Sequence, residues 1–415
     1  MNPGAHEARG RRGAALAVAL AWSVLLLLPI GRTSELPLLV AVLVGLPLLW
    51  RHARAPALAL VFVLIAAYAL PALLSAIDAV DPQKSWTTAL GSLRFGLYAA
   101  AMVLLLGGHA RSQALLADTV AALIGLWTLD ALVQAATGWS LGGALDADRV
   151  SGIFGADDLK LGPVLAVLSP FPLLVARRRF GRGAMALAWL ALAAAILLAG
   201  ARAGWVMYAV VSVVLLWREV PRLLPFVASL LALCVLAASV SLLAQRGSDE
   251  FAERMARTAA VLGGDRASID HALAGRLPIF ETAWTMGSAH PVNGVGVRGF
   301  RVAYAEHAAA DDPWLRPEQG GAALHPHQVL LELFAETGVI GLLAWLIAVA
   351  AAVRAWRRAD AAVRERALAP GLALLAMLFP LNTHFAFYSS FWGLLFWWLL
   401  ALYATALVRD PREAR

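Results

Sequence analysis

Twelve apolar runs constrain this chain more than any motif does. They fall near residues 13–30, 36–50, 56–75, 86–107, 114–136, 159–176, 183–200, 203–217, 222–244, 328–353, 367–385 and 389–408. A bilayer core takes ~20 apolar residues per helix, so some runs span comfortably and others are short. With 61% of 415 residues hydrophobic and 15% charged, a soluble core cannot hide that surface, and lipid is the solvent. The sequence predicts an all-α polytopic membrane protein of about twelve transmembrane helices.

Arginine sets the orientation. Arg9, Arg11, Arg12, Arg51, Arg54, Arg111, Arg177, Arg178, Arg179, Arg182, Arg218, Arg222, Arg354, Arg357, Arg358, Arg364, Arg366, Arg409, Arg412 and Arg415 fall on one side. The short segments opposite carry only Arg32, Lys84, Arg149, Lys160 and Arg202. Short basic loops stay cytoplasmic, whereas a long segment translocates regardless of charge. Both termini are therefore expected inside, and the long loop outside. The organisation read from this is 1–244 as helices one to nine, 245–326 as a periplasmic loop with amphipathic helices, and 327–415 as helices ten to twelve with a cytoplasmic tail. Arg9, Arg11 and Arg12 resemble the start of a signal peptide, but Pro29-Ile30-Gly31-Arg32 offers no cleavage pattern, so the first helix is expected to be retained.

The net charge of +7 is mostly arginine and is distributed between spans. That pattern anchors helices and argues against a nucleic-acid partner. A single cysteine, Cys234, excludes disulfides and cysteine metal sites. Asp157-Asp158 and Asp311-Asp312 lack the spacing of a metal motif, and no phosphate-loop, dinucleotide or nucleophile-elbow sequence occurs. No metal and no cofactor are expected, so a reaction on the outer face must use a substrate that carries its own activation.

Several segments depart from plain spans. Arg94 lies eight residues into the fourth run, roughly 12 Å deep at ~1.5 Å per residue. An arginine there faces a polar cavity or snorkels to the interface. The Gly-rich stretch 137–160 reads as a loop folding back on the bundle. In the long loop, Arg276, Ile279, Phe280, Ala283 and Trp284 recur at helical spacing, predicting an amphipathic helix over 268–288. His290-Pro291-Val292-Asn293-Gly294-Val295-Gly296 breaks it, and a short helix is expected over 299–308.

The residues placed to do chemistry are His327, Arg202 and Arg276, with His325, Arg149 and Arg94 as accessory candidates. Pro326 suits the first position of the tenth helix, which puts His327 in its first turn, under the positive end of the dipole. That favours a neutral imidazole able to accept a proton. His325 would then point elsewhere. An interfacial role for His327 or Arg202 is also open from spacing alone. No acidic cluster is expected.

These residues sit in motifs that resemble the O-antigen ligase and polymerase superfamily. The family pattern is His, then Asn, Ser or Gln, then nine residues and Gly; here it reads His327-Gln328 through Gly338. Ala201-Arg202-Ala203-Gly204, Arg276 with Pro291 to Gly296, and Asp130, Gln134 and Arg149 to Phe154 are similar as well. Gly155-Ala156-Asp157-Asp158 departs from the family's Asn-Pro-Asn, so no role is carried onto it. The resemblance implies a GT-C-like layout and an inverting transfer of polysaccharide from undecaprenyl diphosphate to lipid A-core. His327 would be the base, and Arg202 and Arg276 would hold the diphosphate. Within the superfamily a ligase is favoured over a polymerase. The chain's end just after the last apolar run disfavours a protein acceptor. A lipid-linked sugar transporter is the alternative of a different class.

Overall fold

The computed structural model describes residues 3–145, 149–155, 158–222, 224–227, 264 and 266–409. Most of the expected ninth span and the arginines Arg246, Arg254, Arg257, Arg412 and Arg415 lie outside the described residues, as do Asp157 and Cys234.

Each apolar run within the described residues forms helix over most of its length. The elements are α1 (Pro3–Leu26), α2 (Glu35–His52), α3 (Ala59–Ser75), α4 (Pro82–Leu106), α5 (Ala110–Thr137), α6 (Leu161–Leu168), α7 (Pro170–Phe180), α8 (Arg182–Leu198) and α9 (Arg202–Glu219). The loop contributes α10 (Arg266–Ala272), α11 (Leu277–Ala289) and α12 (Phe300–His307), before α13 (Val329–Arg358), α14 (Ala361–Leu378) and α15 (Ser390–Ala406). Among the described residues the fold is all-α apart from one small hairpin, in which Trp139 pairs with Ala144 and Ser140 with Gly143. Among the described residues five helices are long and apolar enough to cross a membrane, or six with α6 and α7 counted as one bent span. Arg12–Leu26, Arg182–Leu198 and Ser390–Ala406 are shorter apolar helices. Length and composition thus support five or six of the twelve expected spans.

The centre is α15, buried from Trp392 to Ala406 against α3, α4 and α14. Trp397 and Trp398 are fully buried there, and Trp398 donates to the Ala21 carbonyl at 2.9 Å. Small residues let neighbouring backbones approach: a Cβ on Gly45 would lie 2.3 Å from that of Ala101, so α2 and α4 meet closely.

Two departures from regular helix shape the molecule. The sixth run bends by 44° between α6 and α7 at Ser169-Pro170, where the proline lacks an N–H for the ladder. α13 breaks at Gly338, whose φ of 62° and ψ of −158° are not helical. An apolar cavity of about 540 Å³ follows one face of α13, from Leu333 through Gly341, Trp345, Ala348 and Ala352 to Trp356. α3, α14 and α15 also line it.

The long loop differs from expectation at one point. The helix over 268–288 is two helices, because Ala274 (φ 59°) and Gly275 (φ 72°) turn the chain between α10 and α11. Asp270 closes the turn by accepting from the Leu277 N–H at 2.8 Å. Arg276 therefore precedes α11 instead of riding on its face. Ile279, Ala283 and Met286 are the buried stripe, and Trp284 is exposed.

Candidate active site

The site forms where the start of α13 meets three loops. Glycine permits this. A Cβ on Gly338 would lie 2.4 Å from the Val292 carbonyl, and one on Gly294 would lie 2.3 Å from the Glu336 backbone. With no side chains in the way, the segment 291–296 lies against the break in α13 and takes up its stranded backbone groups. Val339 and Ile340 donate to the Pro291 and Val292 carbonyls (2.8 and 3.2 Å), and Val295 and Gly296 donate to those of Ala335 and Glu336 (2.9 and 3.1 Å). On its other side the segment meets the α3–α4 turn. Val80 donates to the Val295 carbonyl at 3.1 Å, and Asn293 donates to Asp78 at 2.5 Å.

His327 is held by strain and by one hydrogen bond. It is not in the first turn of the helix, as the position of Pro326 suggests; α13 starts at Val329, and Gln328 is its N-cap. Gln328 accepts from the Leu331 N–H at 2.6 Å and donates to the Pro380 carbonyl at 3.3 Å. His327 has a φ of 56°, a left-handed conformation that costs a non-glycine residue of order 1 kcal/mol or more. Its Nδ1–H donates to the Thr383 carbonyl at 3.2 Å. A carbonyl only accepts, so this bond fixes the tautomer and leaves the Nε2 lone pair available. Burial first, then the Arg276 guanidinium, lowers the His327 pKa to about 3. Burial and the neighbouring guanidinium both favour the neutral imidazole.

Arg276 lies beside Arg202, whose charge, after burial, lowers the Arg276 pKa. Arg276 forms no ion pair among the described residues; its Nη1 reaches the Leu273 carbonyl at 3.4 Å. Arg202 opens α9, just after a cap residue in extended conformation. Gly204 explains that placement, since a Cβ there would lie 3.0–3.1 Å from the backbone of Gly162 and Pro163 in α6. His325 does not point elsewhere: its ring centroid is 3.9 Å from that of His327. Burial, then His327 and Arg298, lowers its pKa to about 2.

The structure does not bring every candidate to this place. Arg94 pairs with Glu35 of α2 at 3.2 Å. Arg149 lines a small cleft with Ser151, Asp158 and Gly162. That cleft belongs to the folded-back loop, which Gln134 fastens by accepting from Ser151 and Gly152 N–H groups at 2.9 and 2.7 Å. Asp130 fastens the hairpin by accepting from Leu141 N–H at 2.8 Å.

Three groups escaped the sequence reading. His384, placed there within the eleventh span, lies in the loop after α14, which ends at Leu378. Burial and Arg276 lower its pKa to about 4. Arg298, at a φ of 66°, influences His325 and the acids below. Glu332 and Glu336 form the acidic pair that was not expected, one helical turn apart and 0% and 1% exposed. Glu332 accepts from Phe387 and Tyr388 N–H groups at 2.9 and 3.3 Å, holding the His384 loop against α13. Glu336 accepts from the backbone of Arg298 and Phe300. Among the described residues no three His, Cys, Asp or Glu side chains are grouped to hold a metal.

Residues 186–346 match the family described as O-antigen ligase. The matched segment contains Arg202, Arg276, His327 and Gly338. No curated protein matches the chain. Over this segment the chain is similar to the O-antigen ligase and polymerase superfamily. The structure gives the His327–Gly338 spacing a physical meaning. The histidine is the available imidazole, the following residue caps α13, and the glycine is the break that admits the 291–296 segment.

Proposed function

We propose that this chain is an inverting O-antigen ligase, moving polysaccharide from undecaprenyl diphosphate to a sugar hydroxyl of lipid A-core. The reaction is assigned to the periplasmic face of the inner membrane, without metal or nucleotide. The observation that carries this reading is a neutral His327 with its Nε2 available, beside the arginines Arg276 and Arg202.

The chemistry follows from those groups. The acceptor hydroxyl attacks the anomeric carbon as the bond to the diphosphate oxygen breaks. His327 Nε2 takes the hydroxyl proton, and the diphosphate leaves with the bonding electrons. Its added charge falls on the guanidinium groups of Arg276 and Arg202, which suit phosphate in bidentate geometry. Attack opposite the leaving group inverts the centre. The Thr383 carbonyl keeps the tautomer correct, and the cavity along α13 offers an apolar channel of matching chemistry for a polyprenyl tail.

Purified protein in liposomes, given undecaprenyl-diphosphate glycan and lipid A-core, tests this. The expected result is lipid A-core shifted to high mass without added metal or nucleotide. Lengthening of the lipid-linked glycan with lipid A-core untouched would make the protein a polymerase. Absence of any covalent product would move the reading to transport.

A further inference from the structure

A second cavity, of about 610 Å³, opens beside the turn that carries Arg276. Ala274 and Gly275 form one wall, and the segment from Pro313 to Gln319 forms the other. Its volume falls in the range of roughly 300–1,000 Å³ common for ligand sites.

The walls are held in shape independently of any ligand. Trp314 donates its indole N–H to the Gly275 carbonyl at 2.7 Å and its backbone N–H to Asp312 at 2.8 Å. Asp312 is 5% exposed, and its second oxygen accepts from the Tyr304 hydroxyl at 2.8 Å. Two single-turn helices, Pro313–Leu315 and Pro317–Gln319, each begin on proline, and the second ends at Gly320 with a φ of 87°. Arg316, Glu318 and Gln319 are exposed on this stiff ribbon.

The lining selects a chemistry. The indole's one polar group is already bonded, which leaves its ring as an apolar surface. Beside it stand a guanidinium, a carboxylate and a carboxamide, which together donate and accept in several directions. A pyranose presents that combination: a flat face of C–H groups and a rim of hydroxyls. A free phosphate would meet Glu318, and an acyl chain would leave three polar side chains without partners.

We propose that this cleft is a glycan subsite, holding sugar residues next to the one being transferred. The inference rests on the transferase reading above, because Gly275 and Arg276 are consecutive. A glycan whose reacting end lies at Arg276 runs over Gly275 into the cleft. Donor and acceptor sugars share this chemistry, and the test separates them.

The full-length protein in liposomes is compared with Glu318→Ala/Gln319→Ala and with Arg316→Ala, all exposed positions. Thermal melting confirms that the variants fold. For a long-glycan donor KM is expected to rise about tenfold, the effect of losing one or two hydrogen bonds, with kcat unchanged. A donor bearing one sugar should be unaffected. A rise confined to the KM for lipid A-core would also support the subsite and assign it to the acceptor. Unchanged KM values for both substrates would overturn it. Saturation-transfer NMR with the soluble glycan needs no turnover and so stands apart from the transferase reading. A wild-type signal reduced in the double variant supports the cleft, and equal signals contradict it.

Discussion

Both ends of the helix bundle carry arginine, and they hold it in opposite ways. Where α7, α9 and α13 finish, Arg177 and Arg182 share Glu219, Arg178 and Arg179 share Asp118, and Arg218 meets Glu365. Helices run regularly to that end, and these five arginines are paired near solvent. Where α9 and α13 begin, Arg276 stands beside a second arginine and three histidines that burial keeps neutral. The backbone is irregular there too. Ala274, Arg298 and His327, the non-glycine residues with positive φ among the described residues, all border this place. Arginine count therefore does not distinguish the ends. A backbone held in costly conformations, with Arg276 buried beside histidines instead of paired near solvent, does.

Substitutions should reproduce that contrast. Replacing His327 with Ala removes the proposed base, and kcat for glycan transfer should fall by ~10²–10⁴, measured by initial rates in liposomes. Arg276→Ala should lower kcat by ~10²–10³, since its charge meets the leaving group only as it develops. Gly338→Ala places a Cβ 2.4 Å from Val292 at a φ of 62°, so the 291–296 segment must shift. Activity should be lost together with a drop in melting temperature equivalent to about 1–3 kcal/mol. At the other end, Arg178→Ala with Arg179→Ala breaks exposed pairs worth less than about 1 kcal/mol each. Transfer should stay at the wild-type rate; a large loss there would erase the distinction between the ends.

Much of this molecule is legible in its sequence because bilayer burial writes long apolar runs, and those run as helix. The His327-Gln328 to Gly338 spacing is legible for a related reason: a cap and a glycine break are local needs that restrict residue type. What escaped depends on nonlocal structure or on signals passed over. His384 sat inside an apolar run, although Pro380 and Asn382 marked a turn before it. Glu332 and Glu336, two acids one turn apart in a span, are a flag in themselves, because buried charge in a membrane is costly. The turn at Ala274-Gly275 had its glycine and the following Pro278 as breakers. Nothing in the sequence marks Arg298 or His327 as left-handed, since the surrounding hydrogen bonds impose that conformation. For Arg94, depth in a span left a cavity or the interface open, and its partner Glu35 lies on another helix, beyond the reach of sequence spacing.

The most direct test of a neutral His327 acting as base beside Arg276 is the pH dependence of kcat/KM, which reports groups of the free enzyme. With His327 lowered to about 3, the wild-type rate should show no inflection near the ordinary imidazole value of about 6.5. Removing the neighbouring cation in Arg276→Gln raises the His327 pKa, so the acidic limb of the residual activity should move to higher pH. A wild-type inflection near 6.5 that Arg276→Gln leaves in place would contradict the account.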